Sequence, residues 1–351
     1  MGSFAEATAV PTEAGFYWGT SSGNLVNKSV VSESLTGTSG GFIVNIAGLT
    51  SGKTYYYQSY VKVAGTGTHA ASVSEFRGAV STFVMPSPVK PAVNQTWLEL
   101  PGANDQDNCV VNTYYDGSSR NYTHMYDKEN YVSLWTAYHL NSTHMGSYSR
   151  PNEWTYSPLI SSNDQPNLCK LSYANSSTHS RGHMIPNASR NGIKAMQLQT
   201  FYVTNSVPQL QTGFNDGVWQ KLEAALQTLG KSEEIYIVTG AAFNKVGESK
   251  SISYTKAKEA STDGEIKICP IPNYFYKVVL RVKKNSGGTV TSASTIGFWF
   301  ENKAYSNSYT NYAESVDQIE QWTGFDFFVN LPDSIEISAE GNSNWTTFQN
   351  F

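Results

Sequence analysis

Residues 178–223 carry the side chains of this sequence that could hydrolyse a phosphodiester. The run Ser180-Arg181-Gly182-His183 supplies a guanidinium and an imidazole, Asn205 and Asn215 supply amides, and Glu223 supplies a carboxylate. Phosphodiester hydrolysis requires activation of water, neutralisation of negative charge and support for the leaving oxygen. These residue types can provide all three functions if the fold brings them to one place.

The arginine and the histidine of the run Ser180-Arg181-Gly182-His183 have distinct chemical uses. Histidine titrates near neutral pH, so a neutral His183 could accept a proton from water. Arg181 offers a planar fork of donors that matches phosphate oxygens better than a lysine would. Gly182 permits a tight backbone that presents both neighbours to one cleft. The structural alternatives are a hydrogen-bonded core histidine and a surface ion pair.

A helix is predicted after Asn215, because apolar residues then recur at helical spacing and end in a glycine: Trp219, Leu222, Leu226, Leu229 and Gly230. Asn215 is the predicted N-cap residue of this helix. Glu223 would lie about 12 Å along the helix from Asn215 and roughly 80° around it, too far for both side chains to bind one ion directly. An exposed helical carboxylate is the structural alternative for Glu223.

Three motifs in this order resemble the DNA/RNA non-specific endonuclease family, the ββα-metal nucleases: Arg181-Gly182-His183, Thr204-Asn205 with Pro208-Gln209, and Asn215 with Trp219, Leu222 and Glu223. The family motif reads Asp-Arg-Gly-His, and Ser180 replaces its aspartate here. The resemblance extends over residues 97–335. It implies an α+β domain with a central antiparallel sheet and flanking helices.

The resemblance also implies an activity and a cofactor. The family cleaves DNA and RNA with Mg²⁺ and leaves 5′-phosphate ends, and Mn²⁺ is the alternative ion. His183 would then be the general base, and Asn215 would be the one protein ligand of the ion, a role that competes with N-capping. Glu223 would orient a water of the ion.

Three further residues have two interpretations each. Arg150 precedes Trp154, as an arginine near a tryptophan does in the family, and would contact phosphate together with Arg181; a solvated surface charge is the alternative. Asn205 would brace the site through hydrogen bonds, or it is an ordinary turn residue. His179 and His183 have the spacing of a helical zinc pair, but Gly182 disfavours a helix there and the glutamate of a metalloprotease motif is missing.

The charge distribution fits an enzyme that holds nucleic acid only briefly. The chain has 24 Lys+Arg and 28 Asp+Glu, a net charge of −4, so it lacks the overall basic charge of a protein that coats DNA. From Arg150 to Glu223 six basic and four acidic residues reverse the sign to +2. Contacts to phosphate rather than to base edges predict cleavage that is largely independent of sequence. The rival hypothesis is a binding or adhesion protein whose nuclease fold has lost activity, suggested by Ser180 and the acidic total.

The length predicts two domains. Residues 1–85 alternate short β-rich runs with Gly, Ser and Thr turns, and Gly48 to Tyr55 resembles the tyrosine corner of fibronectin type III modules. We predict an all-β fibronectin III-like sandwich over 1–85, truncated at its start, that serves as a spacer or adhesion module. A proline-rich linker over 86–96 and the endonuclease domain over 97–351 follow.

Composition bears on cellular location and on cysteine chemistry. Only 15% of the residues are charged, and Ser, Thr, Asn and Tyr are abundant, which favours a secreted, periplasmic or cell-surface protein. No apolar run is long enough to span a membrane, and no charged-then-apolar leader is present. Three widely spaced cysteines allow at most one internal disulfide and resemble no zinc site.

Overall fold

The computed structural model describes residues 2–4, 7, 9–31, 35–42, 44, 46, 54–65, 72–84, 97–102 and 106–351. The chain divides into two units, Met1–Lys90 and Pro91–Phe351. The predicted linker over 86–96 lies outside the described residues, as does most of the predicted tyrosine corner. No helix among the described residues is long and apolar enough to cross a membrane.

The described part of the N-terminal unit consists of strands. They are β1 (Gly2–Phe4), β2 (Glu13–Gly19), β3 (Asn27–Val30), β4 (Gly40–Phe42), β5 (Thr54–Ala64) and β6 (Val73–Val84). Strands β1 and β4 pair, and the other four form an antiparallel sheet in the order β3-β2-β5-β6. Tyr57 and Val61 of β5 pack against Phe16 and Phe42, so alternate residues of this strand share the small core.

The C-terminal unit mixes strands and helices. Its strands are β7 (Cys109–Asp116), β8 (Ser119–Asp127), β9 (Val132–Leu140), β10 (His179–His183), β11 (Ser206–Leu210), β12 (Ile235–Ala242), β13 (Ser253–Lys256), β14 (Ile268–Ile271), β15 (Tyr274–Lys284), β16 (Val290–Glu301) and β17 (Ala313–Glu314). Its α-helices are α1 (Lys194–Gln199), α2 (Gln220–Ser232), α3 (Val316–Thr323), α4 (Asp333–Ala339) and α5 (Trp345–Gln349). Seven strands form an antiparallel sheet in the order β17-β16-β15-β12-β9-β8-β7, which confirms the predicted α+β class with a central antiparallel sheet.

Both faces of this central sheet are buried. In β12, Ile235 and Ile237 belong to the core cluster that includes Leu222 of α2. Tyr236 belongs to the opposite cluster, which includes Ile319 of α3. Successive side chains of a strand point to opposite faces, so α2 and α3 cover opposite sides of the sheet. The sheet thereby provides a rigid support for α2.

The predicted N-cap role of Asn215 is wrong. Helix α2 begins at Gln220, and Asn215 lies in the irregular segment Gln211–Trp219 before it. Gly213 in this segment has φ 79°, a left-handed conformation that favours glycine, and Gly217 is also non-helical. The distance and angle predicted between Asn215 and Glu223 assumed one continuous helix, so they are wrong as well.

The predicted end of this helix at Gly230 is also wrong, because α2 continues to Ser232. Gly230 is buried inside the helix, where a Cβ atom would lie 2.9 Å from Leu140 Cγ. Close packing of α2 on strand β9 explains this glycine. By contrast, α3 ends at Gly324, which has φ 75° in the left-handed conformation that glycine readily adopts at a helix end.

Candidate active site

Strands β10 and β11 and helix α2 form a ββα unit that carries most of the predicted site. In the antiparallel pair of strands, Arg181 lies opposite Pro208 and His183 opposite Ser206. A Cβ atom on Gly182 would lie 2.5 Å from Gln209 Cβ, so the neighbouring strand requires glycine here. Because alternate strand residues share a face, Arg181 and His183 project together. The same strand geometry excludes the helical zinc pair of His179 and His183.

One cavity of about 760 Å³ brings together five residues that the sequence singles out: Arg150, Arg181, His183, Asn215 and Glu223. Asn205 is not among the lining residues and is fully buried. Its side chain accepts a hydrogen bond from Ile185 N at 3.0 Å and donates to Ile185 O at 3.0 Å and Thr200 O at 2.8 Å. Asn205 therefore fixes the backbone that follows His183.

His183 lies between two aromatic rings. Its ring centroid is 4.8 Å from that of Trp154 and 5.1 Å from that of Phe201. Its Nε2 atom is buried and has no hydrogen-bond partner among the described residues. Burial, and then the positive charges of Arg150 and Arg181, lower the pKa of His183 to about 3. The imidazole is therefore neutral at physiological pH and can accept a proton.

A pH titration tests this electrostatic environment. We expect the imidazole of His183 to remain neutral from neutral pH down to about pH 5 in the free protein, since burial and nearby arginines both disfavour the imidazolium ion. The measurement is an NMR titration of the six histidines, with His183→Asn identifying the signal. Arg150→Gln should raise the pKa of His183 because a positive charge is removed. A His183 that titrates at its ordinary value of 6.5 would contradict this description.

The amide of Asn215 is oriented by two acceptors. Its Nδ2 donates to Ser180 Oγ at 3.0 Å and to Gln211 Oε1 at 3.1 Å. Ser180 Oγ in turn donates to Gln209 O at 3.3 Å. Within the described residues no donor reaches Asn215 Oδ1. An oxygen held in this way, at the wall of a polar cavity, suits a hard divalent cation.

The two arginines of the cavity each lie over an aromatic ring. The guanidinium carbon of Arg181 is 4.6 Å from the Trp154 ring centroid, and Arg181 Nη1 donates to Leu168 O at 2.6 Å. The guanidinium carbon of Arg150 is 5.1 Å from the Phe201 ring centroid. A guanidinium that stacks on a ring keeps its in-plane N–H groups available for oxygen ligands. This geometry can bind a phosphate.

The partner of Glu223 is a residue that the sequence analysis missed. Lys277 is fully buried on β15, with its Nζ 3.7 Å from Glu223 Oε1 and 2.7 Å from Thr239 Oγ1, to which it donates. Burial raises the pKa of the Glu223 carboxyl and lowers that of Lys277 to about 8, while their mutual attraction opposes both shifts. One signal in the sequence could have identified Lys277. It alternates with Phe275 and Val279 in an apolar strand, so its side chain must point to the same buried face as theirs.

The three cysteines are all free thiols, so the one disulfide that the sequence allows is not formed. Burial raises the pKa of the Cys269 thiol to about 12, and the thiol is therefore unreactive at neutral pH. None of the three lines the cavity. Cysteine chemistry takes no part in this site.

Comparison with known proteins identifies the fold and the family. The family model for DNA/RNA non-specific endonucleases matches residues 106–334. Nuclease C1 of Cunninghamella echinulata var. echinulata is 27% identical, over 63% of this chain and 84% of its own, and the nuclease of Serratia marcescens is 25% identical, over 67% and 85%. The mitochondrial nuclease 1 of Schizosaccharomyces pombe is 25% identical, over 50% of this chain and 55% of its own.

A solved structure shares the fold. It is entitled "Crystal structure of the EndoG/EndoGI complex: Mechanism of EndoG inhibition", and the match has a TM-score of 0.51 and 20% identity over 72% of this chain and 96% of that one. The family match covers more than half of the chain and contains the whole ββα unit. The chain is thus an enzyme of the nuclease class and belongs to the DNA/RNA non-specific endonuclease family.

Proposed function

We propose that this chain is a Mg²⁺-dependent endonuclease that hydrolyses phosphodiester bonds of both DNA and RNA and leaves 5′-phosphate ends, with Mn²⁺ as an alternative ion. The observation that carries the proposal is that His183 and Asn215 line one cavity together with two arginines. A neutral base, an amide oxygen at the cavity wall and a pair of guanidinium groups match the three requirements of phosphodiester hydrolysis.

In this proposal His183 acts on water. Its Nε2 has no hydrogen-bond partner in the described part of the chain and its pKa is low, so it is ready to accept a proton from a water molecule next to the phosphorus atom. The low pKa makes it a weak base before the substrate binds. A bound phosphate would bring negative charge close to the ring and raise that pKa towards the working pH. Trp154 and Phe201 hold the ring in place throughout.

The ion would be held by Asn215 Oδ1, whose amide is oriented by Ser180 and Gln211. When bound, Mg²⁺ would neutralise the scissile phosphate and support the leaving O3′. Glu223 would orient a water at the same site, with Lys277 holding the carboxylate towards the cavity. Asn205 would act indirectly, because it lies outside the cavity lining and fixes the backbone that follows His183.

Arg181 and Arg150 would bind the non-bridging phosphate oxygens. The lining set contains Arg150, Arg181 and Lys221 against Asp216 and Glu223, which favours an anion. These groups would contact the sugar-phosphate backbone, which is the same in every nucleic-acid sequence. Cleavage should therefore show little base preference.

The activity is tested by plasmid nicking and by digestion of a structured RNA. With Mg²⁺ the wild-type protein should convert supercoiled plasmid to nicked and then fragmented DNA, and EDTA should abolish the reaction. The ends should be ligatable 5′-phosphates. No cleavage of either substrate with Mg²⁺, Mn²⁺ or other divalent ions would favour the rival hypothesis of a binding protein that has lost activity.

Substitution of Asn215 tests the ion site separately. We expect Asn215→Ala to lower kcat/KM at least about 100-fold and to weaken Mn²⁺ binding measured by electron paramagnetic resonance, because the amide oxygen is the proposed ligand. Asn215→Asp should retain much of the binding, since its carboxylate also offers an oxygen. The matched control is Asn350→Ala at an exposed position near the chain end. Full Mn²⁺ binding by Asn215→Ala would remove the assignment.

For the N-terminal unit, we infer a fibronectin III-like sandwich over residues 1–85 that acts as a spacer, joined through residues 86–96 to an endonuclease domain over 97–351. The four-stranded antiparallel sheet and the paired β1 and β4 support this assignment. We also propose a secreted, periplasmic or cell-surface location, supported by the composition. Limited proteolysis with mass spectrometry should cut first within 86–96, and fractionation of cells should place the protein outside the cytoplasm.

A further inference from the structure

Three carboxylates converge at the first turns of helix α3, and none of them lines the active-site cavity. Asp317 and Glu320 belong to α3, and Glu340 follows the last residue of α4. One oxygen of each lies within 4.8 Å of those of the other two. Glu340 also lies beyond residues 106–334, the segment that the family model matches.

Glu340 is the informative member of this cluster. Its residue is only 5% exposed, and its Oε1 is buried without a hydrogen-bond partner among the described residues. In the part of the chain that the structure describes, none of the three carboxylates forms an ion pair with a basic residue, because the ion pairs there involve other acidic residues. An unpaired buried carboxylate is strongly unfavourable.

Burial and mutual repulsion both disfavour the negative charge of the clustered carboxylates. Burial raises the pKa of Glu320 to about 8 and that of Glu340 to about 10, and repulsion between the clustered carboxylates adds to both shifts. Asp326 and Glu336 also contribute to this repulsion. A cation bound between the three carboxylates would offset this repulsion.

The backbone holds these side chains in place. The carbonyl oxygen of Glu340 accepts a hydrogen bond from Val316 N at 3.0 Å, which anchors the end of α4 to the start of α3. Glu320 Oε1 accepts a hydrogen bond from Phe327 N at 2.8 Å. The carboxylates are thus presented from two separate elements in a fixed arrangement, as in a built coordination site.

We propose that Asp317, Glu320 and Glu340 bind a Ca²⁺ ion, in a site distinct from the catalytic one. Ca²⁺ binds oxygens at 2.3–2.6 Å, so it can lie between oxygens up to about 5 Å apart, whereas Mg²⁺ at 2.0–2.1 Å spans only about 4.2 Å. The three oxygens lie within 4.8 Å of one another, a range that Ca²⁺ can bridge in full. The ion would join the C-terminal segment to α3 and neutralise the buried charge of Glu340.

The test is calorimetric titration of the full chain with CaCl₂, in a protein that carries Asn215→Ala so that the proposed catalytic site does not contribute. We expect one Ca²⁺ per chain and a Ca²⁺-dependent rise in Tm of about 3 °C or more at a large excess of the ion. Adding Glu340→Gln should weaken Ca²⁺ binding at least tenfold and abolish the rise in Tm. Mg²⁺ should bind more weakly than Ca²⁺.

A second variant keeps the test decisive if the buried substitution prevents folding. Asp317 is exposed, so Asp317→Asn should fold and still weaken Ca²⁺ binding. The control is Glu265→Gln, which removes one negative charge at an exposed position outside the cluster and should change nothing. Absence of Ca²⁺ binding, or binding that neither cluster variant alters, would overturn the proposal and assign protons to the cluster. Ca²⁺ binding and Tm are measured without any nuclease assay, so the outcome of this test is independent of the proposed function.

Discussion

Replacement of His183 by alanine is expected to lower kcat by about 10³-fold, the usual contribution of a general base. The imidazole is the only titratable group of the cavity that is neutral, unpaired at Nε2 and packed between two rings, among the residues that the structure describes. The lining set contains one other imidazole, that of His179, which serves as the matched control. Affinity for a non-cleaved DNA in EDTA should change little, because the arginines remain. The measurement is single-turnover cleavage with Mg²⁺.

The matched control for this variant is His179→Ala. His179 lies on the same strand and lines the same cavity, but its Nδ1 is within hydrogen-bonding distance of both Asn175 and Thr178, and it has no proposed role in proton transfer. Its loss should cost less than tenfold. If His183→Ala retained the wild-type rate, or if both variants lost activity equally, the assignment of the general base would be withdrawn.

Replacement of Lys277 by methionine is expected to lower the free energy of unfolding by about 3 kcal/mol, because Glu223 would lose its cation in a buried environment. For a unit of this size that loss corresponds to a fall in Tm of roughly 6–12 °C. Thr239 Oγ1 would lose its donor as well. Cleavage should also slow, because a carboxyl that has lost its strongest positive neighbour takes up a proton more readily and then holds water poorly. Thermal unfolding by circular dichroism and the nicking assay measure the two effects.

A double-mutant cycle separates the lost ion pair from the lost packing. Glu223→Gln combined with Lys277→Met should restore much of the stability but none of the activity, since the buried charge is removed from both partners. The control is Lys283→Met, the same chemical change at the exposed end of β15, which should cost less than about 0.5 kcal/mol. Equal losses for the two lysines would show that the contact with Glu223 contributes no stability.

The elements with strong local signals were predictable from the sequence. Strand β9 follows from an apolar run, β12 and β15 follow from β-branched runs bounded by turn residues, and the end of α3 follows from Gly324. Each of these signals is contained within the element itself. The family motifs then placed five side chains that the fold does bring to one cavity.

The start of α2 and the role of Lys277 required information that local patterns do not contain. The apolar period from Trp219 onwards shows which face is buried but not where the backbone becomes helical, and Gly213 and Gly217 delay it. Lys277 contacts Glu223 only because β15 lies beside β12 and beneath α2, an arrangement of segments that are far apart in the chain. Such contacts are set by tertiary structure.

The serine at position 180 should affect the affinity of the enzyme for the divalent ion and its affinity for the nucleic acid in opposite directions. A hydroxyl steadies the Asn215 amide here, where the family motif supplies a carboxylate. An ion bound at Asn215 would therefore have one formal negative charge fewer in its surroundings, and a nucleic-acid strand would meet less repulsion on its approach. We expect this enzyme to need a higher magnesium concentration than relatives with the aspartate, and to hold its polyanionic substrate more firmly in return.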